Sequence, residues 1–221
     1  MLSTLELVAM AQDGKPKRDT YRHGDLRNTL IEAGLDLARE GGPQAVVLRA
    51  TTRQAGVVPN AAYRHFADRG ALLHAVSQAA MAHLARTMEA EQAAVAPTTD
   101  AVAAARARFR AVGTGYLRFA QEEPGLFRTA FHVPGDMTHA AADTSAGATG
   151  HTPFELLGAA LDDLVEAGLL PEDRRPGAEF LAWSAVHGLA ALLIDGPLRG
   201  LDPTQAHDAG QQVIDMIERG I

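Results

Sequence analysis

Cysteine is absent from this 221-residue chain. That excludes a disulfide framework, a thiolate metal site and a cysteine nucleophile, and it suits a reducing, cytoplasmic setting. No apolar run is long enough to span a bilayer, so no membrane partner is expected. Met1 to Ala11 is mildly apolar but carries Glu6 and no basic leader. It is read as a frayed arm or short helix ending at Gly14, not as a signal peptide. Neither a Gly-x-Ser-x-Gly elbow nor a glycine-rich phosphate loop occurs, and there is no strand pattern or internal repeat. His132, His139 and His151 fall in a glycine-rich stretch without paired carboxylates nearby, a poor metal site. No catalytic residue, metal or cofactor is therefore assigned.

Charge is unevenly divided. The whole chain carries −7, yet residues 15–75 hold ten Lys or Arg against six Asp or Glu, a net +4. Residues 76–221 hold ten against nineteen, a net −9. A basic head on an acidic body turns the head toward phosphate and keeps the body away from it.

Within the head, residues 48–66 read as two short helices folded across a tight turn. Ala55-Gly56-Val57 supplies a small residue, a turn residue and an apolar plug, as a steep helix crossing requires. Pro59 suits the first turn of the second helix, where a missing N–H costs nothing. Tyr63, Arg64 and His65 then bring a hydroxyl, a guanidinium and an imidazole together near the end of that helix. This pattern reads as a helix-turn-helix for duplex DNA. Lys15, Lys17, Arg18 and Arg22 precede it as a basic arm able to follow a phosphate strand or enter the minor groove. The same residues would also serve as a plain solvated leader.

Periodicity and caps give an all-α chain. Helices are expected from Asp25 (as a cap) to about Glu40, then over about 48–55 and 59–65, and from near Asp68 past Met88. Ala/Gln-rich 89–96 and Pro97 to Asp100 are read as a separator. Further helices are expected over about 100–121, from Pro124 to about Phe131, and over 153–168, 173–195 and 203–219. Residues 132–152 are read as a mobile loop.

Residues 22–76 resemble the DNA-binding domain of the TetR/AcrR family of bacterial regulators. Leu26, Ile31-Glu32-Ala33, Leu37-Ala38, Gly41-Gly42, Leu48-Arg49, Ala55-Gly56-Val57, Tyr63-Arg64-His65-Phe66 and Leu72-Leu73 carry the likeness. Trp183, His187 and Gly188 are similar to a patch of its WHG-type subgroup. The resemblance implies an arm over 1–21, a three-helix DNA-binding domain over 22–76 and a helical effector-binding and dimerisation domain over 77–221. It implies DNA contacts from Arg49, from residues 58–62 (Val58, Pro59, Asn60, Ala61 and Ala62) near base edges, and from Tyr63, His65 and Arg69 on phosphates. Phe66 is expected to be core.

This chain also departs from the family pattern. Val58 and Val47 stand where relatives carry hydroxyl residues, so a helix cap and a polar contact are lost. Thr51 and Thr52 stand where relatives are apolar or small, suggesting looser packing. Asn60 can pair with adenine N6 and N7 and is the leading candidate for sequence readout.

Aromatic residues are few, 5% of the chain, and most lie in the body. Phe109, Tyr116, Phe119, Phe127, Phe131, Trp183 and His187 are candidates to line a cavity for a small apolar or aromatic effector. Ordinary core packing would also explain them. Leu181, Ala182, Ala185, Leu189, Leu192 and Leu193, with Val213, Ile214 and Ile217, are more apolar than a monomer surface requires, and the resemblance makes them a homodimer face. The expected function is a ligand-responsive repressor, binding a palindromic double-stranded DNA operator as a dimer and released when effector binding moves the fourth helix. The alternative is an effector- or partner-binding helical protein with a weakened DNA-binding head.

Overall fold

The computed structural model describes residues 23–132 and 142–221. The arm with Lys15, Lys17, Arg18 and Arg22 lies outside them, as do the Met1–Gly14 leader, His139 and the capping role given to the Asp25 side chain. Nine α-helices and two single 3-10 turns are the regular elements among the described residues.

Helix α1 (His23–Ala45) buries Leu30, Ala33, Leu35 and Ala38 along one face. It breaks at Gly42, whose φ of 64° lies in the left-handed region, ahead of Pro43. Helix α2 (Leu48–Gln54) and helix α3 (Pro59–Ala62) follow. The expected 59–65 helix is thus shorter. Its last residues form a turn in which the His65 and Phe66 amides both donate to the Ala62 carbonyl at 2.9 Å.

Helix α4 (Arg69–Ala93) starts on Asp68, whose carboxylate accepts from the Ala71 amide at 2.8 Å. It continues into the segment read as a separator, because Glu, Ala and Gln are good helix formers and no breaker intervenes before Pro97. Helix α5 (Ala101–Glu122) starts on Asp100, and α6 (Pro124–Ala130) opens with proline in its first turn.

The described end of the segment read as mobile is tied down. It forms a 3-10 turn (Asp143–Ser145), and the Ala148 and Thr149 amides donate to the Glu89 carboxylate on α4 at 2.8 and 2.9 Å. Thr152 and Glu155 then make a reciprocal capping box for α7 (Pro153–Glu166). A second 3-10 turn (Glu172–Arg174) precedes α8 (Ala178–Ile194), so that helix begins later than expected, after Pro176 and the left-handed Gly177. Helix α9 (Pro203–Gly220) has its own capping box from Asp202 and Gln205.

A continuous apolar core runs from Leu30 and Leu35 on α1, through Leu72, Val76, Leu84 and Met88 on α4, to Leu161 on α7 and Ile214 on α9. Each fully buried leucine or isoleucine contributes roughly 1.5–3 kcal/mol. Helix α4 therefore belongs to both ends of the molecule. The long contact of α6 against α1 forms a second bridge between them.

Candidate DNA-binding face and effector cavity

The α2–α3 corner is set by local chemistry. Gly56 adopts φ 68°, a conformation that L side chains rarely accept, and the Val57 amide reaches back to the Thr52 carbonyl at 2.9 Å. Val57 and Ala62 turn inward while α3 presents the opposite face to solvent, so Ala62, expected near base edges, is a core residue and cannot reach DNA. Thr51 and Thr52 are 0% and 1% exposed, so this helix is not loosely packed as expected. Their hydroxyls donate to the Val47 and Arg49 carbonyls at 3.1 and 3.2 Å, which satisfies both groups inside the core.

Of the residues expected at DNA, Arg49, Pro59 and Asn60 are exposed, Val58 is 69% and Tyr63 58% exposed, and Ala61 and His65 are half-buried. Val47 and Val58 precede their helices without any side-chain cap. Arg69 has a further task. Its Nε donates to the Val46 carbonyl at 2.9 Å and an Nη to the Pro43 carbonyl at 2.7 Å, pinning the α1–α2 corner to the start of α4. Phe66 is core, with the Arg27 guanidinium 5.3 Å above its ring.

The arginines of the helix-turn-helix differ from many of those in the body, and Arg39 on α1 pairs with Asp36 and Glu123. In the body Arg106, Arg108, Arg110, Arg118, Arg128 and Arg175 all form ion pairs with carboxylates. At the helix-turn-helix, Arg49, Arg53 and Arg64 are exposed and none pairs with a described carboxylate. Three guanidinium groups on one small domain thus remain available to an external anion. Arg53 was not singled out from sequence; its position in the last turn of α2, four residues after Arg49, was the usable signal.

In the body, α4, α5, α7, α8 and α9 enclose a cavity of about 50 Å³. Of the candidates named from sequence, Phe109, Tyr116, Phe131 and Trp183 line it. Phe127 and His187 stand behind the wall. The Phe127 ring centroid is 5.6 Å from that of Tyr116, and the His187 centroid is 4.8 Å from that of Phe131. Phe119 is the exception: it is buried in the core but lies outside the cavity wall. Met81, Met88, Phe154 and Leu157 are among the other lining residues and were missed, since nothing along the chain marks which apolar residues face a void.

The polar groups of this cluster satisfy one another. The Trp183 indole N–H donates to the Tyr116 oxygen at 3.1 Å, and the Tyr116 hydroxyl pairs with His187 Nδ1 at 2.8 Å. The order that uses each donor once has Tyr116 donating to a neutral His187 that carries its proton on Nε2. Burial supports this: it lowers the His187 pKa and pushes the Tyr116 phenol well above its usual value. Of the histidines weighed for metal, His132 is exposed and His151 Nδ1 lies 3.1 Å from the Thr149 hydroxyl.

Two family profiles match the chain. One, described as bacterial regulatory proteins of the tetR family, covers residues 30–76, and the other, a tetracyclin repressor-like C-terminal domain, covers residues 109–217. No curated protein matches in sequence. Among solved structures, a protein of unknown function from Rhodococcus sp. RHA1 is 27% identical, covering 92% of this chain and 98% of its own, with a TM-score of 0.69. The transcriptional regulator FadR from Bacillus subtilis, in complex with stearoyl-CoA, is 14% identical over 88% of this chain and 98% of its own, with a TM-score of 0.64. The TetR family regulator PfmR from Thermus thermophilus is 20% identical over 87% and 98%, with a TM-score of 0.56. The likeness to FadR and PfmR is one of fold. Among the described residues no helix is long and apolar enough to cross a membrane.

Proposed function

This chain belongs to the TetR family of transcriptional regulators, and from that premise we propose that it is a dimeric repressor released from a palindromic operator by a small apolar effector. The observation that carries the reading is the sharing of α4. Its first residues hold the helix-turn-helix in position through Arg69, while Met81 and Met88 farther along line the cavity. A ligand that displaces those methionines acts on the same rigid helix that sets the head. A coupling of roughly 1–3 kcal/mol would change operator affinity about 5–150-fold.

The exposed arginines and Asn60 support a DNA-reading role for α2 and α3, with Arg49, Arg53 and Arg64 on phosphates and Asn60 on base edges. A two-fold partner is supported by the outer faces of α8 and α9. Leu181, Leu192 and Met216 are exposed there, and a side chain at Gly188 would meet nothing in its own protomer, leaving room for a close helix crossing. The stearoyl-CoA held by the Bacillus subtilis neighbour supports a ligand-binding role for a body of this fold.

Fluorescence anisotropy on duplex from upstream of the chain's own gene, against scrambled duplex and across a salt series, tests the reading. Selective binding by a dimer with a steep negative salt slope is expected. Equal, weak binding to both duplexes, followed by a genome-wide fragment selection that returns nothing, would overturn it. The uncapped, four-residue α3 favours one second reading, a helical binding protein with a weakened head. Replacing Tyr63 and His65 with Ala separates the two. Loss of operator binding with the fold intact belongs to the repressor, and no effect belongs to the alternative.

A further inference from the structure

The cavity wall carries chemical information about what it accepts. Among the described residues no charged side chain lines it, and its polar side-chain atoms are the Tyr116 hydroxyl and the Trp183 indole nitrogen. The indole N–H is already bonded to the Tyr116 oxygen, and the Tyr116 hydroxyl to His187. An ionised group brought here would lose its hydration and find no counter-charge. A neutral hydroxyl or carbonyl, by contrast, can take a place in the Tyr116–His187 hydrogen bond without leaving a charge unpaired.

Size and access point the same way. At about 50 Å³ the cavity is smaller than the roughly 150 Å³ void that admits benzene, so a ligand must push side chains aside. The unbranched thioethers of Met81 and Met88 can yield at low cost. From the surface, rings lead inward. Phe180 is 53% exposed, its centroid lies 5.8 Å from that of Phe154, and Phe154 lies 6.1 Å from Trp183. Beside this path Arg175 is held by Asp162 and Glu179, both at 2.7 Å, so its charge is already countered within the protein.

Resting on the reading of this cavity as the effector site, we propose that the effector is uncharged at neutral pH, an aromatic or compact apolar body bearing at most one hydrogen-bonding group. It passes between Phe180 and Phe154, and its polar group inserts at the Tyr116–His187 pair. Carboxylates, ammonium compounds and acyl thioesters of charged carriers are excluded by the same wall.

Trp183 is the chain's single tryptophan, so its emission reports on this wall alone. The test titrates the full chain with four probes sharing one apolar body: 3-phenyl-1-propanol, 3-phenylpropanoate, 3-phenylpropylammonium and propylbenzene. The alcohol should shift Trp183 emission saturably, with both ions at least about 100-fold weaker. The alcohol should bind about tenfold tighter than propylbenzene, and Tyr116→Phe should erase that advantage. Ions that match the alcohol at Trp183 would overturn the proposal and leave the cavity reading standing. Silence from every probe would overturn both. Anisotropy of bound duplex, followed in the same titration, tests the regulator separately: an emission shift without DNA release keeps the ligand class and sinks the effector role.

Discussion

Gly125 sits against the C-terminal carbonyls of α1, so close to the Ala38 oxygen that no side chain fits between them. A Cβ built at position 125 would overlap that oxygen and stand 2.9 Å from the Arg39 carbonyl carbon. The obstructing atoms are backbone and cannot rotate away. Through this contact α6 bears directly on the head, while its other residues, Phe127 and the C-capping Phe131, pack around Tyr116 and His187. Gly125→Ala should therefore destabilise the fold by about 1–3 kcal/mol. Denaturant unfolding measures this, and a neutral substitution would show that the two helices are free to separate.

Val58 offers the opposite experiment. It occupies the N-cap of α3 with extended backbone and an exposed side chain, the geometry in which a hydroxyl caps a helix. Val58→Thr should stabilise the head by about 0.5–2 kcal/mol and tighten operator binding. Unchanged stability by urea unfolding would mean that water already satisfies the α3 amides.

Arg64 lacks a described carboxylate partner and lies beside Tyr63 at the exposed end of the recognition segment. Arg64→Ala should weaken binding to all duplexes alike and reduce the salt slope by about 0.9. A selective loss on the operator alone would instead place this side chain at a base edge.

His187 and His83 are both shifted down from the ordinary histidine value of 6.5, His187 by burial and His83 by burial followed by the charges of Arg86 and Arg39. Folding thus disfavours their protonated forms. Stability should be complete above that value and fall as pH drops from it toward the lower folded values, because the unfolded chain then binds more protons. Thermal melts between pH 8 and 5, on the order of a unit either side of the histidine range, should show this slope, reduced in His187→Gln. An identical slope in the variant would assign the effect elsewhere.

Burial raises the Glu89 carboxyl, but hydrogen bonds from the Thr149 hydroxyl and the Thr149 and Ala148 amides, with the Arg86 charge, outweigh it and hold the group below its usual range. This latch is fully present above the ordinary carboxylate pKa of about 4.3 and is lost as pH falls through the lower folded value. Hydrogen exchange at the Ala148 and Thr149 amides should show protection at neutral pH that Glu89→Ala removes. Equal exchange in the two proteins would mean that the segment before α7 is not held from α4.

Much of this protein was decided within a few residues of sequence. The turn at Gly56, the caps at Asp68 and Asp100, the all-helical class and the split of charge between head and body depend on spacing and local hydrogen bonds, which survive in the linear text. The family signature at Tyr63-Arg64-His65-Phe66 is equally local. The tertiary structure alone decided which of the body's rings face a void. Phe119 and Phe154 are both aromatic residues on helices, yet only the second lines the cavity, since that depends on how α5, α7 and α8 cross. It likewise brought Tyr116 to His187 and Trp183, and gave Arg69 its carbonyl partners on the far side of the helix-turn-helix. It also paired Arg106, Arg108, Arg110 and Arg128 of the body with distant carboxylates, while Arg49, Arg53 and Arg64 of the helix-turn-helix face solvent. Such partners lie tens of residues apart, and no short-range signal encodes them. They exist only once the helices have packed.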